Sequence, residues 1–433
     1  MKKVLIITYY WPPSAGGGVQ RWLKFAKYLP QQGWEPIIYT PSNPDFDLKD
    51  DSLLQDVPAD LTIVKTEIWE PYGLLRLFSK KDKSSSNVGQ VSNKGLKKRV
   101  LSWIRGNMLI PDPRKFWAKP SVKYLSKYLV DKGIDTIVTT GPPHSMHLIG
   151  LGLKKHLPQL NWLVDIRDPW SGFDMLDNYL VTEKNRKKYQ YLEEKVLMSC
   201  DAVTATSPSM KTLLRPFDHK KFTAITNGYD IEDFENYRDQ SSQNQLVIYH
   251  AGLINDLRNP KQFLQALNSY CDKQPASQHT LKLHLVGIIE KALTDAIQNL
   301  PHIASALKQE SYKEHSAVIS DYELANVLLL LVNNTDNAKV NIPGKTFEYL
   351  ATGKAIICIS DPETDVVKIL NAYPHCLIFS YDDKASVILP QLEKFLKDLP
   401  TLNSATSVKQ YSRRALSAKM GEVLDSIQPE HKI

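Results

Sequence analysis

At 433 residues the chain is too long for one ordinary hydrophobic core, and two domains of roughly 200 residues are the natural expectation. Its 42% hydrophobic and 23% charged residues are ordinary for a globular protein and exclude a disordered or fibrous one. The formal net charge of +7 suits an anionic ligand or a membrane surface, while dispersed lysines without a groove-reading motif argue against nucleic acid as a partner.

The chain opens MKKVLIITYYWPPS. Its short apolar run passes into a Pro/Gly turn with no small-residue cleavage site, so a first β-strand explains it better than a signal peptide. No stretch approaches a membrane span. The four cysteines, Cys200, Cys271, Cys358 and Cys376, have no CxxC or metal-ligand spacing and read as buried thiols in a reducing compartment. A cytoplasmic protein is expected.

Short β-rich runs then alternate with amphipathic helical stretches. Expected strands in the first half are Val4–Tyr10, Pro36–Thr40, Leu61–Thr66, Asp135–Thr140, Trp162–Ile166, Ala202–Thr206 and Phe222–Thr226. A helix over Val19–Leu29 carries Val19, Trp22, Phe25, Ala26 and Leu29 on one stripe. The polar, Ser- and Lys-rich stretch Lys80–Lys98 reads as a surface loop. Asp233–Gln245 is apolar-poor and reads as the linker. Beyond it, strands are expected at Leu246–His250, Leu281–Val286, Ala317–Ile319, Leu328–Val332, Ala355–Ile359 and Leu377–Phe379, and a last helix over Val408–Ile427. This predicts an α/β chain of two doubly wound parallel sheets, residues 1–238 and 246–407. Their ligand-binding edges are expected to face a central cleft.

Five motifs sit at strand ends. Gly16, Gly17 and Gly18 follow the first strand and open the first helix, forming either a tight turn or a loop facing a diphosphate or sugar. They are not the dinucleotide fingerprint, because Arg21 stands where a third glycine is required. His144, in Gly141-Pro142-Pro143-His144, ends another strand as a structural or catalytic histidine. Asp165, Arg167 and Asp168 leave a hydrophobic strand together and must pair internally or bind something. Gly252 through Lys261 follows the first strand of the second half. There Asn259 is a candidate N-cap, Pro260 a first helical residue and Arg258 a diphosphate clamp. Finally, Pro343, Gly344, Lys345, Thr346 and Glu348 open a helix that ends at Gly353. Lys345 and Glu348 share a face, as an ordinary salt bridge or as an anion and ribose pair.

Taken in order, YYWPPSAGGGVQRW, GPPHS, DIRDPW, DAVTATSPSM, ITNGYDIEDF and PGKTFEYLATGKAI resemble family 4 of the glycosyltransferases over essentially the whole chain. The opening is similar to bacterial envelope-polysaccharide members. The resemblance implies the GT-B fold, a last helix that crosses back to the first domain, and sugar transfer from a nucleotide diphosphate donor with retention. It implies no cofactor and no bound metal, and a glycan or lipid-linked acceptor. Where the family carries an Arg and a Lys five apart, this chain has Leu253 and Arg258; where it carries two glutamates eight apart, this chain has Val340 and Glu348.

On that footing Arg258, Lys345 and the amides opening the Pro343 helix stabilise the departing diphosphate. Glu348 holds the ribose, and Gly252, Asn259, Pro343, Gly344 and Thr346 line the donor side. His144 and Gly16–Gly18 line the acceptor side, with Asp165, Arg167 and Asp168 as cleft architecture or acceptor contacts. Leu96–Pro111 sets lysines and arginines among Val100, Leu101, Trp103, Ile104, Met108 and Leu109. It reads either as a helix on anionic lipid at the inner face of the cytoplasmic membrane or as a basic surface helix. Two rivals stay open: a sugar-nucleotide epimerase or hydrolase of the same fold, and a non-catalytic partner subunit that only binds the nucleotide sugar.

Overall fold

The computed structural model describes residues 1–46, 48–71, 96–173, 175–214, 222–242, 244–273, 280–399 and 407–429. Most of the expected loop Lys80–Lys98 lies outside them. The chain divides into two units, Met1–Thr226 with Arg414–Ile433, and Asn227–Arg413. The division precedes the polar stretch Asp233–Gln245, which belongs to the second unit.

The first unit is built on seven parallel strands: β1 (Lys2–Ile7), β2 (Trp34–Pro41), β3 (Thr62–Thr66), β4 (Thr136–Gly141), β5 (Asn161–Ile166), β6 (Ala202–Ala205) and β7 (Phe222–Ala224). Their order is β3-β2-β1-β4-β5-β6-β7, with Ile7 opposite both Tyr39 and Thr139. Parallel strands covered on both faces read as continuous apolar runs, and all of β4 is buried. The helix Gly17–Tyr28 turns Val19, Trp22, Leu23, Phe25 and Ala26 into this core. The helix Arg413–Ser426 adds Leu416, Met420, Val423 and Leu424 to the same cluster. Their spacing places them on one helical face. Asp425 of that helix accepts from Trp34 Nε1 at 3.1 Å and from Lys2 at 2.6 Å.

The second unit has six parallel strands: β8 (Gln245–Ala251), β9 (Thr280–Val286), β10 (Leu307–Glu310), β11 (Val327–Leu331), β12 (Ala355–Ile359) and β13 (Cys376–Phe379). Their order is β10-β9-β8-β11-β12-β13. Period-two alternation sends Val327, Leu329 and Leu331 of β11 into one core cluster and Leu328 and Leu330 into the other.

Three expectations need correction. Ala317–Ile319 is not a strand but part of the helix His315–Leu324, which buries only Ile319 and Tyr322 and so lacks a clear apolar stripe. The strand on that flank is β10, whose sequence LKQE pairs on one side only and carries no apolar alternation. The cysteines are unpaired, but only Cys358 is fully buried; Cys200, Cys271 and Cys376 are half-buried.

Both sheets reverse strand order beside their first strand, between β1 and β4 and between β8 and β11. In open α/β sheets such switch points place a ligand crevice at the carboxyl ends of the strands.

Candidate functional site

At the carboxyl edge of the first sheet the charges are mostly spent on one another. Asp165 is fully buried. Its carboxylate accepts from Arg21 Nε at 3.1 Å and Nη2 at 2.8 Å, Trp22 Nε1 at 2.7 Å, Thr140 at 3.0 Å and Thr204 at 2.8 Å. Burial alone would push this carboxyl up, yet the Arg21 charge and these donors hold it below its ordinary range. A carboxylate offers about four lone-pair sites, so Asp165 is architecture and has nothing left for a ligand. Arg167 donates from Nη1 to the Gly18 carbonyl at 2.8 Å and from Nη2 to the Pro142 carbonyl. It thereby ties the glycine loop to the GPPHS loop. A Cβ at Gly18 would overlap Arg167 Nη1, whereas one at Gly16 meets nothing, and Gly16 is required by its φ of 98°. Gly17 opens the helix.

His144 stacks flat on Trp170, with ring centroids 5.0 Å apart and 3° between planes. It hydrogen-bonds the Pro169 carbonyl, and burial, His147 and Arg167 keep it neutral. Its Nδ1 is buried without a partner, as is Nε2 of His147, and a side chain on Gly141 would press on both. Asp168 differs from its neighbours. It makes no hydrogen bond among the described residues, and burial raises its carboxyl despite the adjacent Arg167 charge. The loop beyond it is held by Glu193, which accepts from the Ser171 hydroxyl and, at 3.3 Å, from the Ser171 amide. Burial pushes Glu193 up to about 7.

The switch point of the second sheet is organised differently. Gly252, at the end of β8, has φ 147°, and a Cβ there would lie 2.7 Å from Lys345 Nζ. Lys345 donates to the Ala251 carbonyl at 2.6 Å. Arg258 donates to Asn333 at 2.5 Å, just past β11, and to the Leu253 carbonyl at 3.3 Å. Neither cation makes an ion pair among the described residues. Burial and the Arg258 charge push Lys345 down to about 7, against a small upward pull from Glu348. Beside them His250 donates from Nδ1 to the Leu329 carbonyl at 2.8 Å, which leaves its buried Nε2 as an empty acceptor. Two like charges that meet no counter-ion among the described residues are costly to bury even in part.

The flanking residues depart from expectation in detail. Asn259 is not an N-cap: its Oδ1 is buried without a partner, and the helix Lys261–Lys273 is entered by Leu264 N bonding the Pro260 carbonyl at 2.9 Å. Arg258 lies in a 3-10 turn, Asp256–Arg258, before that helix. The second helix starts at Lys345, not Pro343, since Pro343 and Gly344 form the lead-in turn; it ends at Gly353 with φ 70°. Thr346 is fully buried with its hydroxyl unpartnered. Lys345 and Glu348 are not ion-paired. Glu348 is met instead by His315 Nε2 at 3.1 Å and the Tyr322 hydroxyl at 3.1 Å.

Val340 is buried, and Leu253 contributes only its carbonyl. His250, Asn333, His315 and Tyr322 escaped sequence reasoning. A histidine inside the apolar run LVIYHA and two asparagines closing VLLLLVNN were the available signals for the first two.

Among the described residues, His284, Glu310 and Asp321 are the grouping with metal-ligand spacing. Lys313 reaches both carboxylates, at 3.0 and 2.7 Å, and Lys308 reaches Glu310 at 2.8 Å. An ammonium thus takes the place an ion would need. On the first unit, the helix Leu96–Asn107 exposes Leu96, Val100 and Trp103 on one stripe, with Met108 just beyond it, while Leu109 and Ile110 are buried. No helix is long and apolar enough to cross a membrane.

No protein-family model matches the chain, and no curated protein does either. Solved structures do. A sucrose-phosphate synthase from Thermosynechococcus elongatus superposes with a TM-score of 0.64 at 14% identity, covering 99% of each chain. A glycosyltransferase from Rickettsia africae gives 0.63 at 13%, covering 98% of each. A Listeria monocytogenes structure assigned as a UDP-N-acetylglucosamine 2-epimerase gives 0.57 at 10%, covering 98% of this chain and 96% of that one. These likenesses establish the GT-B fold, with two Rossmann-like domains.

Proposed function

We propose that this protein is a retaining glycosyltransferase, moving a sugar from a nucleotide diphosphate donor to a glycan or lipid-linked acceptor in cell-surface polysaccharide synthesis. The observation that carries the reading is the pair Lys345 and Arg258, two half-buried cations with no counter-ion among the described residues, at the switch point of the second sheet. In the proposed reaction the bond between the anomeric carbon and the diphosphate breaks and the diphosphate keeps the electron pair. Fixed cations at that oxygen stabilise the charge as it builds. They do for the leaving group what a divalent ion does elsewhere, so the proposed reaction uses no metal and no cofactor. Glu348 binds the ribose, and Gly252 lets the diphosphate approach the backbone. The acceptor hydroxyl attacks from the face the diphosphate leaves and gives its proton to the departing diphosphate oxygen.

The acceptor is assigned to the first unit. Asp168 has an uncommitted carboxylate suited to a sugar hydroxyl, and His144, stacked on Trp170, shapes the wall beside it. The stripe Leu96, Val100 and Trp103, flanked by the exposed Arg99, suits an anionic lipid surface on the cytoplasmic side. Trp103→Glu is expected to lower co-sedimentation with phosphatidylglycerol vesicles several-fold; unchanged binding would remove the membrane from this reading.

Turnover decides between transfer and its rivals. Nucleoside diphosphate is expected to appear from UDP- or GDP-sugars only when a lipid-linked acceptor is supplied. Release without acceptor points to hydrolysis, interconversion of the sugar to epimerisation, and binding without turnover to a partner subunit.

A further inference from the structure

Glu348 is a carboxylate of the second unit's candidate site, and its surroundings contrast with those of Asp165. It is nearly buried, its side chain 12% exposed, yet among the described residues it accepts two hydrogen bonds, one on each oxygen. A carboxylate so engaged keeps one free acceptor position per oxygen.

The two donors come from one element. His315 opens the helix His315–Leu324 and Tyr322 follows seven residues later, two turns along the same face. Tyr322 is 1% exposed. Its ring is wedged edge-on between Tyr249 (5.7 Å, 81°) and Tyr349 (5.3 Å, 89°), which fixes where its hydroxyl points. Tyr249 is itself tied to Asp321 at 3.1 Å, and Asp321 to Lys313 at 2.7 Å. Burial pushes the Glu348 carboxyl up, but the His315 hydrogen bond and charge, the Tyr322 hydroxyl and the Arg413 charge together hold it below its ordinary range. His315 Nε2 and the Tyr322 hydroxyl both donate to Glu348, one to each oxygen.

We infer that His315 and Tyr322 are positioning residues for the nucleoside: they clamp the Glu348 carboxylate so that its two free acceptor positions meet the vicinal hydroxyls of a ribose. The inference rests on the donor reading above, since it assigns a task within that same site. It makes selection of the ribose, and not of the base or sugar, the property that these two side chains control. A carboxylate left to rotate would still attract a hydroxyl but would no longer accept two in parallel.

The test is calorimetric binding of UDP and GDP, each beside its 2′-deoxy counterpart, to the intact chain and to Glu348→Gln, His315→Ala, His315→Gln and Tyr322→Phe. Tyr322→Phe keeps the packed ring, and circular dichroism and melting temperature check that every variant is folded. His315→Ala and Tyr322→Phe are each expected to weaken the better-bound ribonucleotide about tenfold. Their ribo-over-deoxy preference should shrink toward that of Glu348→Gln, with His315→Gln, which retains a donor, recovering part of it. If Glu348→Gln loses the preference while the His315 and Tyr322 variants keep it, the positioning role is wrong and the donor reading survives. If the unmodified chain binds neither nucleotide, both fall.

Discussion

At the carboxyl end of β5, Asp165 accepts five hydrogen bonds and faces the Arg21 guanidinium in a fully buried pair. At the carboxyl end of β8, neither Lys345 nor Arg258 is ion-paired with a carboxylate among the described residues, and the buried Nε2 of His250 accepts nothing. Both sets of charges occupy the edge where such sheets bind ligands. Position alone therefore does not distinguish a binding residue from a structural one. The proposed distinction is saturation: a charge whose valences are filled by the fold holds the fold, and one left short can take a partner from outside.

That contrast can be broken most severely at Asp165. Asp165→Ala leaves Arg21 buried and uncompensated, and is expected to cost about 3–5 kcal/mol of stability, read from urea unfolding. A loss below about 1 kcal/mol would show that the pair is not a keystone and that saturation was misjudged.

Lys345 should respond in the opposite direction. Its folded pKa of about 7 lies below the unfolded value near 10.5. The folded chain therefore holds fewer protons between those limits, and stability rises with pH across that window. The penalty is present in full below about pH 7. Lys345→Met is expected to stabilise the ligand-free protein at neutral pH by about 1–2 kcal/mol and to flatten that slope. A destabilised variant would mean that the bond to the Ala251 carbonyl outweighs the buried charge.

A smaller effect sharpens the comparison within the first unit. Glu193, raised to about 7 from 4.5, contributes most below about pH 4.5 and loses that contribution as pH climbs toward 7. Glu193→Gln is expected to gain about 1 kcal/mol at pH 8 and nothing at pH 4.5, by thermal melts at both. Equal melting-temperature changes at the two pH values would contradict a protonated Glu193.

Much of this was legible in the sequence, for identifiable reasons. Strands such as VLLLL and TIVTTG are continuous apolar runs because both faces are covered, and glycines at 33, 133 and 353 mark helix ends with positive φ. The polar edge strand LKQE left no such trace, and Val318 and Ile319 made a weakly amphipathic helix look like a strand. Among the candidate-site residues, Arg258, Lys345 and Glu348 are proposed from their place after strands. What could not be read was the state of each charge. That Asp165 is consumed by Arg21, 144 positions earlier, or that Glu348 turns to His315 and not to Lys345, depends on contacts between distant segments. Gly16–Gly18 reads in the sequence as either a tight turn or a ligand-facing loop, and what the structure adds is that Gly18 lies against Arg167.

The central claim is that Lys345 and Arg258 form an anion site for a nucleoside diphosphate, and titration calorimetry with UDP and GDP at pH 6 and pH 8.5 tests it directly. One of the two nucleotides should bind more tightly at the lower pH, because the ammonium is already present there, and should draw a proton from buffer at the higher. Lys345→Met should lose that pH dependence and Arg258→Ala should weaken binding at least tenfold. Unchanged affinity in both variants, or no binding by the unmodified chain, would contradict the account.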